Sequence, residues 1–148
     1  MKTFSKNNAG FTLLEVMVVI VILGILASLV VPNLLGNKEK ADQQKVVSDI
    51  TALEQTLDMY KLDNAVYPTT EQGLEALVEK PSSAPEPRKY REDGYIKRLP
   101  KDPWGNEYMY QSPGERGKID LYSLGSDGEE GGEGTAADIG NWNLQDHQ

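Results

Sequence analysis

The sequence predicts an α+β fold: a long N-terminal α-helix, membrane-type in its first half and amphipathic in its second, packed on a small antiparallel β-sheet that ends in an acidic loop. Three observations predict it. An apolar run carries one carboxylate near its start, and a second stretch repeats apolar residues at helical spacing. Short aromatic and β-branched runs then alternate with Pro and Gly turns, ahead of a C-terminal segment that lacks any basic residue.

The first element opens on Gly10-Phe11-Thr12-Leu13-Leu14-Glu15. From Val16 to Val31 no residue is charged and only Ser28 is polar. Phe11 to Leu35 is 25 residues, enough to cross a hydrocarbon core of roughly 30 Å at about 1.5 Å per residue. An ionised carboxylate in such a helix costs about 2.5–3.5 kcal/mol on insertion scales, so Glu15 needs a reason. Lys2 and Lys6 give the basic start of a secretory signal, but no A-x-A-like site follows the apolar run. The small-residue junction beside the run, Ala9-Gly10, lies before it. A cut between Gly10 and Phe11 would remove leader residues 1–10 and keep the helix. It would also create an α-amino group on Phe11, one turn from Glu15. Amine and carboxylate offset much of each other's cost in hydrocarbon, within one chain or between neighbours. Between neighbours the pair would fix an axial stagger. The alternatives are that Glu15 lies shallow enough to snorkel, or is protonated.

The helix should continue beyond the span. Val46, Ile50, Leu53, Leu57 and Tyr60 recur at intervals of four and three, an apolar stripe read as a core seam. Pro32 and Gly36 interrupt the two halves, which predicts a kink or a melted stretch near residues 28–36. Asp63-Asn64 ends the helix. A short helix is expected over Glu71–Glu79, capped by Thr70, with Leu74, Leu77 and Val78 buried. Pro81 to Arg88 reads as a surface loop. Tyr108–Tyr110 and Ile119–Leu124 read as strands around a Pro113-Gly114 turn, with Ile119, Leu121 and Ser123 on one face. The rigid turn Pro100–Asn106 precedes them, and its Trp104 should anchor the sheet on the helix beside Ile96 and Leu99.

Charge is uneven. Residues 37–148 carry 13 Lys+Arg and 22 Asp+Glu, or −9, while residues 119–148 alone carry seven acidic residues and no Lys or Arg. A basic leader ahead of the span fits a positive-inside orientation with the acidic domain outside the cytoplasm. Such a domain is a poor nucleic-acid binder, because that affinity rests on phosphate neutralisation. With no cysteine, nothing in the fold depends on redox state.

From Leu124 to Trp142 the chain holds six glycines and five acidic residues. As a free loop it would repel itself. Asp127 and Asp138 are hard oxygen ligands that could close around Ca²⁺, with backbone carbonyls filling the remaining positions. Glycines let such carbonyls turn inward. Composition leaves two readings open, a calcium loop and a solvated acidic loop. The spacing is not that of an EF-hand. Without thiols, and with His147 as the single histidine, a zinc or copper site is not indicated.

Gly10-Phe11-Thr12-Leu13-Leu14-Glu15-Val16 and the apolar helix behind it resemble the class III leader and N-terminal helix of type IV pilins and of type II secretion pseudopilins. Lys101-Asp-Pro-Trp-Gly-Asn, Tyr122-Ser-Leu-Gly-Ser-Asp-Gly and Ala137-Asp-Ile-Gly-Asn-Trp are similar to the major pseudopilin family. The resemblance implies a pilin-like fold, cleavage by a prepilin peptidase between Gly10 and Phe11, methylation of Phe11, and an assembly role for Glu15. It implies one Ca²⁺ held by Asp127, Asp138 and the Leu124 carbonyl, with Ser126, Glu133 and Thr135 as further contributors. The domains it implies are a leader (1–10), a transmembrane and filament-core helix (11–35) and a periplasmic globular domain (36–148). The expected location is the inner membrane, crossed once, and the periplasm once the filament assembles. Expected partners are further copies in a helical homopolymer, minor pseudopilins, the inner-membrane secretion platform with its ATPase, the peptidase, and lipid before assembly. No nucleic acid is expected.

Enzyme signatures are missing: no G-x-S-x-G, Walker A, H-E-x-x-H or cysteine nucleophile occurs. The function the resemblance implies is that of a filament subunit that drives export of folded proteins across the outer membrane. Two other readings fit in part. One is a type IV pilus pilin, disfavoured by the missing disulfide and the acidic loop. The other is a membrane-tethered, calcium-dependent binding module that never polymerises.

Overall fold

The structure, a computed structural model, describes residues 10–147. Leader residues 1–9 and the side chains of residues 30–35 lie outside the described set, and with them most of the expected leader and the end of the expected span. The described residues form two units, one up to Lys38 and one from Glu39.

Helix α1, Leu13–Asn64, is continuous over 52 residues. Of the two outcomes expected near residues 28–36, a kink or a melted stretch, the single chain is not melted: the helical pattern runs through it. Pro32 withholds one donor, and the flanking ladder carries the backbone across the gap. In the first unit the described apolar side chains from Phe11 to Leu29 are exposed on every side of the helix. A helix apolar all round belongs in a core or a membrane. Among the described residues, no helix is long and apolar enough to cross a membrane.

The second unit buries the expected stripe. Val46, Ile50, Leu53, Leu57 and Tyr60 are each at most 3% exposed and pack with Leu74, Leu77, Tyr108, Ile119, Leu121 and Ile139. Ile96, Leu99 and Trp104 are half-buried against this core, as the sequence suggested. Asn64 closes α1 from within the core. Its amide donates to the Tyr60 carbonyl and the Tyr95 hydroxyl, and its oxygen accepts from Lys89 N.

The segment after α1 departs from expectation. A 3-10 helix, Leu74–Leu77, replaces the α-helix expected over Glu71–Glu79. Gly73 precedes it at φ +62°, a conformation that an α-helix cannot continue through. The helix has no side-chain cap, so the Thr70 cap is not realised; Thr69 closes the turn ahead of it, its Oγ accepting from Gln72 N at 3.2 Å and its N–H donating to Gln72 Oε1 at 3.1 Å. Thr70 instead bonds both N and O of Ser112, tying this turn to the hairpin.

The sheet has three antiparallel strands in the order β1-β2-β3: β1 Met109–Gln111, β2 Asp120–Ser123 and β3 Ile139–Gly140. Registers are Met109 opposite Tyr122 and Ser123 opposite Ile139. Ile119, Leu121 and Ser123 face the core. Asp120 is buried as well, because its carboxylate accepts from Glu115 N and Arg116 N and so closes the β1–β2 turn. Strand β3 was not foreseen. It has two residues, one of them glycine, too short for any alternation to show.

Candidate functional site

At the start of α1, Gly10, Phe11 and Thr12 precede the first helical residue. Phe11 is 90% exposed. Thr12 and Glu15 form a reciprocal capping box. Thr12 N–H donates to Glu15 Oε2 at 2.9 Å, Glu15 N–H donates to Thr12 Oγ at 3.2 Å, and the threonine hydroxyl lies 3.2 Å from the same carboxylate oxygen. Glu15 therefore has partners in the uncut chain, before any amine forms on Phe11. The T-x-x-E spacing ahead of an apolar run is a legible capping signal that the sequence reading passed over.

The second site is the acidic loop between β2 and β3. The β2–β3 register ends at Ser123 opposite Ile139, so Leu124 and Asp138 leave the ladder at facing positions. Beyond them the two arms are joined: Ser126 N donates to the Thr135 carbonyl at 2.9 Å, and their hydroxyls lie 3.3 Å apart. Gly125 makes this approach feasible. At φ +70°, a Cβ there would sit 2.7 Å from the Ala136 carbonyl carbon. Asp127 is exposed near the tip, and its Oδ1 accepts from Glu129 N. Asp138 is half-buried and its Oδ2 accepts from Gly131 N at 3.0 Å. Its Oδ1 is buried and has no hydrogen-bond partner, an isolation shared among the described side chains only by the Tyr90 hydroxyl.

A cleft of about 500 Å³ beside the loop is lined by Asp120, Tyr122, Glu130, Asp138 and Trp142, among others, with Arg116 stacked 4.0 Å over the Trp142 ring. Asp127 does not line it. Among the described residues, no three His, Cys, Asp or Glu side chains gather as a metal cluster. The structure thus brings Leu124 and Asp138 together and leaves Asp127 on the outer arm.

The fit to a hard cation rests on the stranded Asp138 oxygen. A buried acceptor without a donor is costly, and a coordinated cation removes the deficit. Asp138 with backbone oxygens, joined by Asp127 if its arm were drawn in, would be a hard donor set suited to Ca²⁺ and unsuited to softer metals.

Residues 33–142 match the family "Type II secretion system (T2SS), protein G". The chain belongs to that family. Residues 5–31 match the prokaryotic N-terminal methylation motif. The type II secretion system core protein G of Vibrio cholerae serotype O1 is 77% identical over 143 residues, covering 97% of each chain. That of Aeromonas hydrophila is 74% identical over 143 residues, covering 97% of this chain and 98% of the relative. The crystal structure of the major pseudopilin from the type 2 secretion system of enterohaemorrhagic Escherichia coli superposes with a TM-score of 0.68 at 63% identity, covering 77% of this chain and 97% of that one. The fold seen here, a long helix against a three-stranded antiparallel sheet, is the pseudopilin fold, and the protein G family is one of structural pseudopilin subunits.

Proposed function

We propose that this chain is the major structural subunit of the type II secretion pseudopilus. It inserts once in the inner membrane, loses residues 1–10, is methylated on Phe11, and polymerises into a short periplasmic filament that drives folded proteins through the outer membrane. One observation carries the reading: a methylation motif over residues 5–31 and a protein G match over residues 33–142 lie end to end in one chain. Its role is structural rather than catalytic. Its partners are further copies of itself, minor pseudopilins, the secretion platform and the prepilin peptidase.

Chemically, the apolar surface of residues 11–29 is the driving term. Each Å² of it withdrawn from water gains about 25 cal/mol, in lipid before assembly and against neighbouring helices after it. Glu15 sets register, because a carboxylate in that layer is tolerated only where donors meet it. Thr12 supplies two of them in the precursor, and the new Phe11 amine would add a charged one.

Asp127, Asp138 and the Leu124 carbonyl would hold one Ca²⁺, with Ser126, Glu133 and Thr135 within the same loop. Bound there, the ion would neutralise the crowded carboxylates and give Asp138 Oδ1 its missing partner. The chain's own contribution is the joined neck at Ser126 and Thr135, which limits the ordering left for binding to accomplish.

The filament reading is tested with Glu15→Ala in cells that overproduce the secretion components. Membrane insertion should stay normal while sheared filaments vanish from electron micrographs. Filaments of normal yield and length from the variant would overturn the register role, and a wild-type chain that forms none would overturn the reading itself.

A further inference from the structure

Asp102 and Ser123 are buried polar residues outside the expected ligand set, 4% and 0% exposed. Asp102 lies in the Lys101–Asn106 turn, 21 positions from Ser123 along the chain. Ser123 Oγ donates to Asp102 Oδ2 at 2.8 Å and accepts from Gly125 N at 3.2 Å. Asp102 Oδ1 accepts from Trp104 N at 3.1 Å and Asn106 N at 2.8 Å. Asn106 in turn reaches the Gly125 carbonyl at 3.4 Å. Leu124 is thereby held on both sides, by the Ser123 side chain before it and by both backbone groups of Gly125 after it.

A buried carboxylate is an expensive way to close a turn. Two backbone N–H groups would satisfy a neutral amide oxygen equally well. What only the carboxylate supplies is a second acceptor, aimed at Ser123. That bond fixes the last residue of β2, where Leu124 and Asp138 leave the ladder facing each other.

We propose that Asp102, acting through Ser123, is a positioning residue of the calcium loop: it orients the Leu124 carbonyl and sets calcium affinity without contacting the ion. The inference rests on the calcium reading above. Partners bonded directly to a ligand typically change metal affinity by about 10- to 100-fold when lost; Asp102 stands one residue further out, so the low end of that range is expected.

The test uses the full chain in detergent with two variants. Asp102→Asn keeps an acceptor for the Trp104 and Asn106 amides and loses the second acceptor for Ser123. Ser123→Ala keeps the turn's own bonds and loses the bridge together with the acceptor for Gly125 N. Calcium titration calorimetry gives affinity well below melting, and thermal melting in chelator gives metal-free stability. Ser123→Ala should bind calcium about tenfold more weakly, and Asp102→Asn, whose amide nitrogen can still donate to Ser123 Oγ, more weakly than wild type but by less. Ser123→Ala should melt in chelator below wild type, because Asp102 Oδ2 and Gly125 N lose a partner, yet remain folded at the titration temperature. Unchanged calcium affinity in folded Ser123→Ala, whatever its melting point, would overturn the positioning role and leave the metal reading intact. A wild-type chain that takes up no calcium would overturn both. Should Asp102→Asn fail to fold, Ser123→Ala alone decides.

Discussion

Asp138 carries one oxygen bonded to Gly131 N and one that no group in the described fold answers. Asp127 has the opposite problem: it is exposed and bonded only to the next turn of its own loop. A cation shared between them would serve both. Asp127→Ala should therefore lower the melting temperature in calcium and abolish the protection that added calcium gives wild type. At a hundredfold excess over the dissociation constant that protection is about 2.7 kcal/mol. Identical wild-type melting in calcium and in chelator would remove the site. Both aspartates stand out in the sequence as hard oxygen ligands in a stretch of five acidic residues and no basic one, where composition leaves a calcium loop and a solvated loop equally open. Thr12 could have been found from its spacing to Glu15. The Asp102–Ser123 bond could not, since it joins two unremarkable residues that only folding makes neighbours.

At the scale of elements, periodicity decided what the sequence disclosed. The five-residue stripe of α1 repeats often enough to be read, and all of it is buried. Strand β3 is too short to repeat anything, and Gly73 turned an expected α-helix into a single 3-10 turn through one backbone angle that sequence pattern does not report. The loop neck obeys the same local rule. Gly125→Ala would place a methyl group against the Ala136 backbone and force an alanine to φ +70°. The variant should lose more than about 1 kcal/mol of stability. Hydrogen exchange should rise first at Ser126 N, whose bond to Thr135 depends on that approach. Protection there equal to wild type would mean that the neck tolerates the extra carbon.

Across the whole domain, all seven tyrosines are held above their ordinary ionisation range. For Tyr67 the chief cause is the hydrogen bond it donates to Asp58, which raises it to about 12. For Tyr95 and Tyr110 burial comes first, again to about 12. Burial pushes Tyr108 up too, reinforced by its bond to Asp49. The folded values exceed the unfolded one, roughly 10. The stability they represent is thus complete below that pH and is lost as pH climbs towards about 12. Tyrosinate absorbance should appear together with loss of near-ultraviolet dichroism, as one alkaline transition. Ionisation of most tyrosines in a domain that keeps its dichroism would contradict the packing of α1 on the sheet.

The backbone at Gly10 and Phe11 is not helical, and the turn that begins at Thr12 is closed by Glu15. A peptidase that grips its substrate as an extended strand could therefore seat the Gly10–Phe11 bond without unwinding α1. Because Thr12 and Glu15 close that first turn between themselves, the proposed cut would shorten the chain and leave the turn as it was.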